Sequence, residues 1–267
     1  MPWTTTTRYV FERPFIRESL GYGDSWSGGA LTRAKVIELA DGRSWPPALR
    51  NIARSAARMY DPGLLWSIKD DDFFEAIGED LVRVYHCTRL TTFELAGMSI
   101  DGLVPLSYDF AMRRVRDAVS SADLTDDEGR LYGSSREARD EGRSGKVFLI
   151  GHRGGLADRS GVRHLLNIWG GEGINAAWHT NSPEAKRLTS VGVPTVVVAT
   201  VKPADMSYAS PGWLEAAVQQ IRRVPRRGLT MMTTQAVPAY SIERFVHPSD
   251  PFWRRYVGWS PPNPPTV

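Results

Sequence analysis

The hydrophobic and polar positions fall into short blocks whose period changes along the chain. Over residues 45–60, Leu49, Ile52, Ala53, Ala56, Ala57 and Tyr60 recur at spacings of three and four. This predicts an amphipathic helix opened by Pro46 and Pro47, with Arg50, Arg54 and Arg58 on its other face. Asp70, Asp71 and Asp72 precede Phe73 and Phe74 and read as an N-cap cluster that complements a helix dipole. Residues 81–87 (LVRVYHC) are rich in β-branched and aromatic side chains without Gly or Pro, which predicts a strand. Residues 93–100 predict a short helix closed by Gly102, residues 103–106 resume extended, and 108–121 predict a further helix.

Downstream, residues 146–150 predict a second strand. Val162, Leu165, Leu166, Ile168 and Trp169 form a helical stripe that stops at Gly170 and Gly171. The run PTVVVATVK, residues 194–202, is nearly continuous in β-branched residues, as in a strand buried on both faces. A helix over 211–223 and strands over 229–237 and 240–246 complete the pattern. Residues 1–45 (with GYGDSWSGGALT) lack a period and read as an irregular arm. Residues 122–144, dominated by Asp, Glu, Arg, Ser and Gly, read as an exposed loop or loosely held helix rather than core, suited to be a mobile lid or substrate loop, and SPPNPPTV as an unstructured tail. The expected architecture is α+β: an N-terminal arm and helical extension over 1–75, one core domain over 76–250, and a Pro-rich tail over 251–267.

Composition narrows the classes. With 42% hydrophobic and 24% charged residues in a chain of 267, collagen-like, low-complexity and wholly disordered readings are excluded. A net charge of +3 is too small to drive nucleic-acid binding by bulk electrostatics, so local clusters decide, although the pI near 9.1 leaves such a partner open. No run reaches the roughly 18 apolar residues of a membrane span, and MPWTTTTRYVFERPF lacks a signal-like apolar region, so no membrane and a cytoplasmic location are expected. The single cysteine, Cys87, excludes an intrachain disulfide and a Cys-rich zinc site. His152, His164, His179 and His247 show no metal-ligand spacing, so no metal is expected.

Candidate chemistry concentrates in residues 85–103. A strand that ends in His86-Cys87-Thr88 puts the imidazole and the hydroxyl on one side, since strand side chains alternate. Cys87 then points the other way, which argues against a thiol–imidazole pair. His86-x-Thr88, a short helix and then Ile100-x-Gly102-Leu103 resemble the first motif of the ADP-ribosyltransferase superfamily, versions of which occur in poly(ADP-ribose) polymerases, RNA 2′-phosphotransferases and DarT-type DNA-modifying toxins. The resemblance spans residues 80–202. It implies a split β-sheet with flanking helices, NAD as co-substrate, and a role as a toxin or defence protein is among those it suggests.

By position, the resemblance implies that His86 holds a ribose hydroxyl with Thr88 in support. Phe148 on the second strand would flank nicotinamide, and Glu172 in WGGEGIN would stabilise the reacting ribose, with Asp158 and Glu184 as alternatives. Two residues depart from the family pattern: Cys87 stands where Gly is frequent and adds a side chain to the nicotinamide end, and Phe148 stands where Tyr would also donate a hydrogen bond. Cleaving the nicotinamide bond builds an oxocarbenium-like cation, so a carboxylate beside it gains most in the transition state. Cations for the diphosphate would come from Arg153 with Gly154 and Gly155, from Arg89, or from Arg113 and Arg114. The basic turn RRVPRR, with Arg226 and Arg227, would face a nucleic-acid acceptor. GHRGG lacks the spacing of a P-loop. Each residue also has a structural reading: His86 as a hydrogen-bonded strand end, Phe148 as core, Glu172 as a helix cap.

The expected function is transfer of ADP-ribose from NAD to a protein or nucleic acid. NAD hydrolysis or RNA 2′-phosphotransfer on the same fold, or a non-catalytic nucleic-acid or protein-binding module, are the alternatives.

Overall fold

The structure, a computed structural model, describes residues 34–58, 70–134, 142–158, 161–171, 174, 182–210, 212–222 and 229–261. Its centre is β2 (Leu81–Leu90), which pairs antiparallel along nearly its whole length with β4 (Val193–Val201). Beyond β4 lies β7 (Ile242–Val246). On the other side come β3 (Val147–Ile150), β6 (Thr230–Thr233) and β5 (Tyr208–Ser210), all antiparallel. β1 (Val36–Ile37) pairs parallel with Leu81 and Val82. The class is therefore α+β with an open, mainly antiparallel sheet.

Side-chain alternation along β2 builds two cores. Val82, Val84 and Leu90 pack with Val197 and Ala199 under three helices: α1 (Pro47–Arg58), which buries Leu49 and Ala53, α2 (Asp71–Ile77), which buries Phe73, and α8 (Trp213–Arg222), which buries Trp213. Tyr85 and Cys87 point the other way, against Leu156 of the turn Arg153–Ala157, against Val162 and Leu166 of α6 (Gly161–Asn167) and against Trp253 of α9 (Pro251–Tyr256). A third cluster joins α4 (Tyr108–Ser120), α5 (Asp126–Gly133) and α7 (Pro183–Leu188) around Trp169 and Tyr132. At about 25 cal/mol per Å2 of apolar area, large side chains buried in these clusters supply the main folding force.

Four expectations are corrected. Residues 34–58 are no separate extension, because Ile37, Leu39, Trp45, Leu49 and Ala53 share the first core. Asp70 sits at the start of α2 but makes no side-chain cap there; its carboxylate accepts the Leu214 N–H at 3.0 Å and so caps α8. The charged segment after Ala122 holds a helix, one of the two forms expected, but it does belong to a core, since α5 opens with a capping box between Thr125 and Glu128 and buries Tyr132. Residues 135–141 of that segment lie outside the described residues, as do 262–267 of the tail. The stretch from Pro251, assigned to that tail, instead forms α9 and buries Trp253.

α3 (Thr92–Asp101) follows β2 directly and ends at Gly102, whose φ is 78°. A Cβ there would lie 2.1 Å from the Val237 carbonyl oxygen, so this close approach needs glycine. Leu103 then pairs with Val237. The Gly-Leu half of the motif thus ties α3 to the segment after β6.

Candidate functional site

β2 and β3 meet in register at one residue pair, Tyr85 and Ile150. Past it β2 continues to Leu90 while the preceding residues of β3 pair with β6, and the Lys146 carbonyl instead accepts the Leu106 N–H at 3.0 Å. The sheet therefore parts between the two strands singled out from the sequence. A cavity of about 530 Å3 occupies the gap, within the range of small-molecule sites.

His86, Cys87 and Thr88 line it from β2, and Phe148 from β3. His86 Nδ1–H donates to the Phe148 carbonyl at 2.9 Å, which spans the gap and fixes the tautomer. Nε2 is then the ring's remaining polar atom and an acceptor. Desolvation lowers the proton affinity of His86, and the Arg114 charge adds to this, while the bond to Phe148 opposes it. Neutral imidazole is the form such a site favours. Thr88 is buried, and its hydroxyl donates weakly to the Arg89 carbonyl at 3.3 Å. The Phe148 ring is 38% exposed, so it belongs to the cavity rather than to the core.

The Cys87 side chain packs in the second core, where burial pushes its thiol up to about 12. Only its backbone edge suits a ligand. Arg89 does not line the cavity: its guanidinium donates to the carbonyls of Val191 (2.9 Å), Gly192 (2.8 Å) and Leu166 (3.4 Å), and burial lowers it to about 10. This corrects its assignment to the diphosphate. Arg153 is likewise displaced from the cavity and lies 4.9 Å over the Tyr256 ring of α9.

α4 brings Arg113 and Arg114 to the cavity, in different states. Arg113 is exposed, 5.4 Å over the Phe110 ring. Arg114 is bound to Glu94 and lies 5.2 Å over the Trp169 ring. Glu94 was not anticipated as a site residue. Its carboxylate accepts from Arg114 Nε, from Trp169 Nε1 at 2.8 Å and from the Thr91 N–H at 2.7 Å. The last contact belongs to a capping box, which Thr91-x-x-Glu94 announces in the sequence. Glu94, Gly97, Met98 and Asp101 recur at three and four residues, so one face of α3 forms a wall of the cavity.

Gly170 and Gly171 also line the cavity, both with positive φ. Trp169 is fully buried just before them, its N–H bonded to the Leu188 carbonyl at 3.1 Å. Glu172 lies outside the described residues, and so do Arg226 and Arg227. Of the two alternatives to Glu172, Asp158 lines the cavity and Glu184 does not. The carbonyl of Glu184 accepts the Tyr132 hydroxyl at 2.9 Å in the third cluster.

No family model matches the chain, and no curated protein or solved structure matches it either. Among the described residues, no helix is long and apolar enough to cross a membrane.

Proposed function

We propose that the gap between β2 and β3 is an NAD site in an ADP-ribosyltransferase-like split sheet, and that the protein cleaves the nicotinamide–ribose bond and transfers ADP-ribose to a macromolecular acceptor. The observation that carries this reading is the parting of the sheet after Tyr85 and Ile150, with His86 bridging the gap beside a cavity of sufficient size.

In this reading each residue has a defined task. His86 Nε2 accepts a ribose hydroxyl, and the Phe148 carbonyl holds its ring in place. Thr88 supports the same end. The exposed Phe148 ring packs on the nicotinamide face, and the exposed Arg113 meets the diphosphate. Glu172 places a carboxylate beside the developing cation, where it is most effective in the transition state. Arg114 keeps α4 in position through Glu94 instead of contacting substrate directly. Holding the bond to be broken against these fixed groups is a positioning effect.

Isothermal titration of the full chain with NAD tests the assignment. Wild type should bind, Phe148→Ala and His86→Ala should bind at least about tenfold more weakly, consistent with loss of about 1.4 kcal/mol each, and Glu172→Gln should bind normally. Equal binding by wild type and Phe148→Ala would remove the cavity from the account.

A further inference from the structure

Away from the cleft, α9 gathers cations and aromatic rings on the face of β2 that carries Tyr85, opposite His86 and Thr88. Phe252 stacks on Tyr85 with ring centroids 5.9 Å apart and meets Tyr256 at 4.8 Å. On this base lie three guanidiniums: Arg244 5.0 Å over Phe252, and Arg153 and Arg255 at 4.9 and 5.3 Å over Tyr256. Arg254, beside them in sequence, is exposed. The base is rigid. Gly258 N–H donates to the Leu156 carbonyl at 3.0 Å, and a Cβ on Gly258 would come within 2.5 Å of the Ala157 carbonyl oxygen. The end of α9 is thus pressed against the turn that bears Arg153.

Among the described residues Arg153, Arg254 and Arg255 form no ion pair. The nearby acids are already engaged. Asp250 caps α9 by accepting the Phe252 N–H at 2.6 Å, and its other oxygen lies 3.8 Å from Arg244. Asp41, within reach of the Arg153 charge, accepts two side-chain N–H groups of Arg43. A ring beside a guanidinium restricts the long side chain without using its N–H fork.

Such preordered forks match phosphate oxygens, and several in one surface match a chain of phosphates. Phe252 and Tyr256 are half-buried under the arginines, so neither projects for lipid insertion nor offers an open face for a base to stack. We propose that the α9 surface binds nucleic acid through its phosphate backbone, without base selection, using Arg153, Arg244, Arg254 and Arg255. This is independent of the NAD reading, because none of the four arginines lines the cavity.

Fluorescence anisotropy of a labelled 20-nucleotide DNA strand, titrated with the full chain between 50 and 200 mM NaCl, tests it. Four contacts predict a slope of log affinity against log salt near about −2.8, at about −0.7 per phosphate of single strand. Arg254→Gln with Arg255→Gln should bring the slope to about −1.4 and weaken binding at 50 mM salt at least about tenfold, with an unchanged melting temperature. Arg254→Lys with Arg255→Lys should keep the slope. The proposal is overturned if no binding is seen at 50 mM salt, if the double Gln variant keeps the slope, if Arg226→Gln with Arg227→Gln abolishes binding in its place, or if polyglutamate competes as well as unlabelled DNA.

Discussion

Replacing Glu94 with alanine should be among the most damaging single changes in this protein. Its carboxylate is the common acceptor for Arg114 Nε, Trp169 Nε1 and the Thr91 N–H, and the Glu94 and Arg114 side chains are only 9% and 12% exposed. Alanine would leave a nearly buried guanidinium without its counter-charge, together with two unpaired donors. Breaking a buried pair in this way costs about 3–5 kcal/mol, and each stranded donor about 1–3 kcal/mol. Arg114 keeps part of its environment, the Trp169 ring at 5.2 Å and a weak bond to the Arg89 carbonyl at 3.5 Å, so the lower half of that range applies. Water reaching the vacated site offsets the cost of the two stranded donors, and about 3–4 kcal/mol is the expected loss. Urea unfolding of wild type, Glu94→Ala, Arg114→Met and the double variant would measure it. The double variant should recover at least about 1 kcal/mol of the summed single losses, because no unpaired buried charge remains. A loss below about 1 kcal/mol in Glu94→Ala with an unchanged dependence on urea would refute the reasoning.

Three further outcomes follow from single residues. Gly102→Ala should destabilise by at least about 2 kcal/mol in thermal or urea unfolding, since it joins a positive φ to a Cβ 2.1 Å from the Val237 oxygen; a neutral effect would contradict the close approach. Cys87 should not react with iodoacetamide in the folded state at pH 8 and should react once urea unfolds the chain, because burial raises its thiol to about 12; stoichiometric labelling of native protein would count against this. Burial lowers the proton affinity of His86 and His247 below the usual value of about 6.5. The unfolded chain therefore takes up these protons at a pH where the folded chain does not, so stability rises with pH through that window and falls as pH drops below about 6.5. His86→Gln should flatten that slope between pH 5 and 7 in urea unfolding, and an unaltered slope would exclude His86 as a source.

The elements with strong local signals were readable in advance. α1, β2, α3, α4 and β4 fall within three residues of their expected bounds, because their period, turn glycines and β-branched runs all agree. What escaped depends on distant partners. Asp70 looks like a local cap, but its acceptor oxygen is used 144 residues away at Leu214. The two residues of β1 carry no strand pattern of their own and are fixed by the edge of β2 that β3 leaves open. Arg89 and Arg153 are ordinary basic residues in sequence. Only the fold shows that one satisfies backbone carbonyls and the other lies on α9. Strand alternation puts His86 and Thr88 on one side, the family resemblance implied Phe148 by its position on the second strand, and all three line one gap. Glu94 carried the signature of a capping box, but its bonds to Arg114 and Trp169 join segments 20 and 75 residues away. Local pattern alone cannot specify such contacts.

The measurement that bears most directly on the account is release of free nicotinamide from NAD by the purified full chain, followed by chromatography, with Glu172→Gln and His86→Ala alongside and with nucleic acid or protein extract added as acceptor. The account predicts release by wild type and its loss in both variants, with Glu172→Gln still binding NAD. Wild-type protein that neither releases nicotinamide nor gains thermal stability from NAD at millimolar concentration would contradict it, and the gap between β2 and β3 would have to serve another ligand.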